Sequence, residues 1–220
     1  GARRRVVTVT HRSTVVLALV ALGSCGDGGP GAVTAERCRV DLHGKGDRGA
    51  DAALVDGVAV LRPDGNGEGW GGREWRYDDP DERAAAIAVV REAVAAAGCE
   101  RVALHGFSNG AAFAAALVCS GETLDGRLAG AVVDDPVSDA ATLGCRPDPS
   151  VQLALYWTGA LGDIAPPGTD CAAVDWTCAG GAVRDIDEFA ADLGVSVTPS
   201  PFDEHRRFDD APEPARWLSG

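Results

Sequence analysis

Ser108 stands in Gly106-Phe107-Ser108-Asn109-Gly110, directly after the apolar run Val102-Ala103-Leu104 and directly before the helix-forming run Ala111 to Val118. A serine between two glycines, at the junction of a strand and a helix, has the setting of a nucleophile. The sharp turn lifts the hydroxyl clear of the sheet. Glycines on either side let strand and helix approach each other. The same turn places the amide of Asn109 at a helix N-terminus, where it is aimed at a developing oxyanion.

A serine hydroxyl needs a base, usually a histidine, and the base needs a carboxylate to orient it. The chain has four histidines. His11 falls in the N-terminal leader, His105 lies inside the strand before Ser108, and His43 ends an earlier strand. His205, in a late loop before the terminal helix, is therefore the expected base. The expected acid is Asp163, the first carboxylate after the strand Gln152 to Trp157. Ser108, Asp163 and His205 follow the chain order serine, acid, histidine. Two other carboxylates compete for the role: Asp170, beside Cys171, and Asp135, which follows the preceding strand, a less common position for the acid. A second oxyanion donor is expected from His43-Gly44-Lys45-Gly46, with the Lys45 amide as the donor. Trp70, Trp75 and Tyr77 are candidates to line the substrate cleft; for all three, packing beneath the glycine-rich loop is an equally good reading.

These residues need an alternating framework to hold them. Cys38 to His43 and Gly57 to Leu61 read as strands, with Asp51 to Val55 a short helix between them and Gly65 to Gly72 a glycine-rich loop. Asp79-Pro80-Asp81-Glu82 is a helix start, with an N-cap acid, a proline in the first turn and acids at the positive end of the dipole. Ile87, Val90, Val94 and Ala97 continue it at helical spacing. Leu128 to Val133 is a strand, Ala182 to Leu193 a helix, Val195 to Thr198 a short strand and Ala211 to Leu218 the last helix. Strands alternating with helices imply an α/β fold, a mostly parallel sheet with helices on both faces.

The 220 residues suffice for one such domain. Formal charge is -13; residues 1–24 hold four arginines and no acid, so the remainder has 16 basic against 33 acidic residues. That excess argues against nucleic acid as a partner. Arg3-Arg4-Arg5 and Arg12, then the apolar stretch Val15 to Leu22, read as a signal peptide over residues 1–24, too short to span a bilayer. Leu22-Gly23-Ser24-Cys25 follows and resembles a lipobox, with Cys25 the lipidated first residue and 25–37 a flexible tether to a domain over 38–220. Six cysteines then remain, Cys38, Cys99, Cys119, Cys145, Cys171 and Cys178, an even number that suits three disulfides in an exported chain. No Cys-x-x-Cys pair occurs, and Asp64 to Trp75 departs from a calcium loop at its twelfth position, so no metal site is expected.

Val40-Asp41-Leu42-His43-Gly44, then Val58 to Gly65, a tryptophan-bearing loop and Gly106-Phe107-Ser108-Asn109-Gly110 occur in this order at family-like spacing. The chain resembles the secreted polyhydroxybutyrate-depolymerase and feruloyl-esterase branch of the α/β-hydrolases, which includes bacterial lipoproteins. The match is good over roughly 38–135 and loose beyond. Ala111 stands where a second glycine is frequent, and the Thr158 to Asp163 segment is two residues longer than the family's acid segment. The resemblance implies a serine carboxylesterase without cofactor; a monomer is expected, working outside the cytoplasm on a small or polymeric ester and touching the membrane only through its lipid anchor. Its sheet order sets the strands of Cys38 and Cys99 side by side and so implies that disulfide; Cys171 with Cys178 closes a small loop, leaving Cys119 with Cys145. A non-catalytic binding lipoprotein on the same scaffold and a cutinase-like esterase are the competing readings.

Overall fold

The computed structural model describes residues 33–219; the segment 1–24 expected to be a signal peptide, and Cys25, expected to be lipidated, lie outside the described residues. A seven-stranded sheet runs in the order β2-β3-β1-β6-β7-β8-β9. Its strands are β1 (Arg37–Leu42), β2 (Ala50–Val55), β3 (Val58–Arg62), β6 (Arg101–Phe107), β7 (Leu128–Asp134), β8 (Gln152–Trp157) and β9 (Val197–Pro199). All neighbours pair in parallel except β2 on β3. A small antiparallel hairpin, β4 (Gly67–Gly69) and β5 (Gly72–Glu74), stands apart from the sheet.

The helices are α1 (Pro80–Ala96), α2 (Asn109–Cys119), α3 (Ala160–Ile164), α4 (Ile186–Leu193) and α5 (Glu213–Leu218). Asp79 caps α1 through the amides of Asp81 and Glu82, as the sequence signals. Alternation along the central strands separates two apolar layers. Val102, Leu104, Ala131 and Val133 pack with α1 and α2, whereas Ala103, Val132, Trp217 and Leu218 form the opposite layer under α5. α2 is buried along nearly its whole length, which its run of alanines permits by letting it lie close to the sheet.

Some elements differ from the sequence reading. Residues 51–55 are strand β2, not a helix: Asp56 and Gly57, at φ 49° and 76°, form the tight turn that folds β2 back on β3. An Asp-Gly pair with both residues at positive φ matches the twist of a two-residue hairpin. Gly65 to Gly72 is partly hairpin. α4 begins at Ile186, where Asp185 caps it, and α5 at Glu213. Residues 35 and 36 are bonded to the domain: the Ala35 amide donates to Ala97 O, and Glu36 O accepts from the Glu100 and Arg101 amides. The disulfides are Cys38–Cys99, Cys119–Cys145 and Cys171–Cys178, with Cα separations of 5.8, 4.9 and 6.1 Å. Each lies in the range a disulfide spans.

Candidate active site

The site lies at the carboxyl ends of β1, β6, β7 and β8, where parallel strands of such sheets open into a crevice. Ser108 follows β6 at φ 54° and ψ −120°, the strained turn expected of it. Its glycines are there for space. A Cβ on Gly106 would sit 2.3 Å from Gly110 O, and one on Gly110 2.4 Å from Leu42 O. The Ser108 amide donates to Asp134 O at 3.0 Å, which ties the turn to β7.

His205 Nε2 is 3.0 Å from Ser108 Oγ, and His205 Nδ1 is 2.5 Å from Asp135 Oδ2. Asp135 is fully buried, and Thr158 bonds both of its oxygens, through its amide to Oδ1 at 3.0 Å and through Oγ1 to Oδ2 at 2.8 Å. The carboxylate on His205 is therefore Asp135, not Asp163. Asp163 sits in the short helix α3, exposed, while its neighbours Leu161 and Ile164 turn toward the pocket. Asp170 caps a 3-10 turn through the Ala172 amide. Asp135 wins because β7 lies beside β6, with Phe107 opposite Asp134 in register, so the residue after β7 emerges next to the serine turn.

The loop bearing His205 is anchored just beyond it. Phe208 N–H donates to Asp134 Oδ2 at 2.6 Å, and Arg207 Nη2 reaches Asp41 Oδ1 at 2.8 Å. Phe107 stacks on the imidazole, with ring centroids 4.7 Å apart. Asp134 is wholly buried and faces the equally buried His105 at 3.5 Å. Thr158, Asp134 and Arg207 were missed by sequence reasoning, since a polar residue at a strand end, or in a loop as Arg207 is, carries no local mark of what it will touch.

The turn Gly44 to Asp47 approaches Ser108 so closely that a Cβ on Gly44 would lie 3.4 Å from Ser108 Cβ. His43 holds that turn: its Nδ1 donates to Gly44 O at 2.8 Å and its Nε2 accepts from Gly65 N–H at 3.0 Å. Accepting at one nitrogen and donating at the other requires the neutral ring. Burial, the largest influence, moves its pKa down in the same direction. The first amide of a helix has no intrahelical partner, which leaves that of Asn109 available beside Ser108. The Asn109 side chain clasps the Trp75 backbone, accepting from its N–H at 2.7 Å and donating to its C=O at 3.0 Å.

A pocket of about 280 Å³ opens on the serine, lined by Lys45, Trp70, Asn109, Leu161, Trp176 and His205 among others. Trp70 is on its wall. Trp75 and Tyr77 are not: both are fully buried. Trp75 stacks on Phe113 at 4.8 Å, and Tyr77 donates to Asp139 at 2.8 Å. Burial, with Asp139 alongside, pushes the Tyr77 hydroxyl pKa well up. Among the described residues no cluster of His, Cys, Asp and Glu has the makings of a metal site, and no helix is long and apolar enough to cross a membrane.

No protein-family model matches the chain, and no curated protein matches it. Solved structures do. A Bacillus cereus carboxylesterase superposes with a TM-score of 0.55 at 20% identity, over 86% of this chain and 90% of that one. A protein of unknown function from Agrobacterium tumefaciens gives 0.55 at 17% identity, over 84% and 91%. The fold is that of the α/β-hydrolases. At this identity the likeness speaks for the fold, and the chemistry has to be read from this chain's own residues.

Proposed function

We propose that the protein is a serine carboxylic-ester hydrolase. The observation that carries the reading is the continuous relay Ser108 Oγ, His205, Asp135, with contacts of 3.0 and 2.5 Å. Ser108 Oγ attacks the ester carbonyl while His205 Nε2 takes its proton. Asp135 keeps Nδ1 protonated and stabilises the imidazolium. The amides of Asn109 and Lys45 bind the tetrahedral oxyanion. His205 then donates the proton to the leaving alcohol, and water, activated by the same imidazole, releases the acid. No step calls for a cofactor.

The three disulfides suit an oxidising compartment, and the basic, apolar leader suits export, so the reading extends to an extracytoplasmic enzyme anchored at Cys25. A polyhydroxybutyrate-depolymerase-like substrate remains one member of the ester class. A non-catalytic scaffold is disfavoured by the strained φ of Ser108, which a pure binding module has no need to keep. Incubation with a fluorophosphonate, followed by peptide mapping, tests the proposal. An adduct on Ser108 that disappears in His205→Ala supports it; no adduct in the folded chain overturns it. A panel of aryl, alkyl and polymeric esters then identifies the substrate.

A further inference from the structure

The catalytic pocket has a polar neighbour. A second cavity, of about 480 Å³, is lined by Glu74, Arg76, Asp170 and Asp175 and shares Lys45, Trp176 and Thr177 with the first. What divides them is a small cross-brace. Lys45 Nζ donates to Asp175 O at 2.8 Å and lies 3.3 Å from Asp175 Oδ1 and 3.1 Å from Glu74 Oε2. The ammonium also stands 5.1 Å from the Trp70 ring centroid, and Trp70 Nε1 donates to Asp175 Oδ2. Trp70 lies in the turn between β4 and β5, and Asp175 lies in the short loop that Cys171–Cys178 closes; both have positive φ, 44° and 54°.

We propose that Trp70, Lys45 and Asp175 form a specificity wall, which confines the ester group on that side of Ser108 to one that is compact and uncharged. The inference rests on the esterase reading and names the substrate class for it. Size follows from the pocket, which ends at the wall. Charge follows from the ammonium. Lys45 has three N–H donors, and three oxygens already face them, two of those oxygens belonging to carboxylates. A carboxylate on the substrate would find the lysine occupied and two like charges beside it. A neutral acyl or alkyl group finds Trp70, Leu161, Ile164 and Trp176. Glu74 and Lys45 are largely buried, but the Asp175 side of the brace is exposed, at 73% of its side chain, and a pair of that kind is weak, so one substitution at Asp175 is enough to open that side. Opening it joins the apolar pocket to the polar cavity behind.

The experiment uses the full chain and its Asp175→Ala and Trp70→Ala variants. Two neutral ester series are assayed, one lengthening the acyl group at a fixed alcohol and one lengthening the alcohol at a fixed acyl group. Asp175→Ala is expected to raise the ratio of kcat/KM for long over short esters at least about fivefold in one series, with Trp70→Ala moving it the same way. A smaller change in both series, from folded variants, overturns the wall. In the parent, a monoester ending in a carboxylate is expected to react more slowly than its neutral isostere; the reverse order overturns the charge restriction. Labelling of Ser108 by a short alkyl fluorophosphonate separates the two ideas. Labelling with unchanged selectivity defeats the wall alone, and no labelling of the parent defeats the esterase reading, and the wall with it.

Discussion

His205 Nδ1 lies 2.5 Å from Asp135 Oδ2, across 70 residues of chain. That contact decides which carboxylate orients the base. Asp135→Asn presents an amide where the imidazole needs an acceptor and favours the wrong tautomer. We expect kcat to fall by roughly three to four orders of magnitude with little change in KM. Asp163→Asn is expected to stay near the parent value. Steady-state kinetics on both variants, on the best ester from the panel, check this; equal activity of the two would remove Asp135 from the relay.

The second expectation concerns the anchor of the His205 loop. Asp134→Ala leaves the Phe208 amide without its acceptor. The imidazole then loses its fixed position over Ser108, and kcat is expected to drop about ten- to a hundredfold. Asp134→Asn, which keeps an acceptor oxygen, should recover most of it. Measuring kcat and KM separately distinguishes this from lost binding, because KM should hardly move.

In the proposed mechanism Asn109 acts through its backbone amide alone, and its side chain is expected to serve stability. Asn109→Ala strips both partners from the buried Trp75 peptide groups. Leaving two such groups unpaired is expected to cost roughly 2 to 5 kcal/mol. Denaturant unfolding of the variant reads it directly, and a loss under about 0.5 kcal/mol would show that water replaces the side chain there.

Asp139 makes stability depend on pH. Burial, opposed by hydrogen bonds from Ala141, Tyr77 and Ala179, pushes its pKa up from 3.8 to about 6. The folded state therefore holds this proton more tightly than the unfolded state does. Its contribution to stability is complete below about pH 4 and is lost as pH rises through about 6. Asp139→Asn removes the linkage. The stability of the parent relative to the variant should therefore grow by roughly 1 to 1.5 kcal/mol on going from about pH 7.5 to about pH 5. Unfolding titrations at the two pH values test the sign, and a gap that shrinks on acidification contradicts it.

Much of this protein is written locally. The turn around Ser108 needs glycine at 106 for a local reason, because Gly110 O lies 2.3 Å from where its Cβ would stand, whereas Gly110 is needed only because β1 brings Leu42 O to within 2.4 Å. The cap at Asp79 and the period of α1 are local as well, and His205 follows from eliminating three other histidines. Other features follow only from how the chain is assembled. Asp135 and Asp163 are both acids following strands, and nothing in their neighbours tells them apart; the adjacency of β7 to β6 does, along with the turn of α3 that leaves Asp163 in water. Trp70, Trp75 and Tyr77 lie within eight residues of one another, yet one walls the pocket and two fill the core, because the Asn109 clasp draws the Trp75 backbone inward. Sequence determines what each residue is able to do over a few bonds. Which carboxylate meets the imidazole, and which aromatic faces the pocket, depends on contacts between segments far apart in the chain, and those exist only once the sheet order is set.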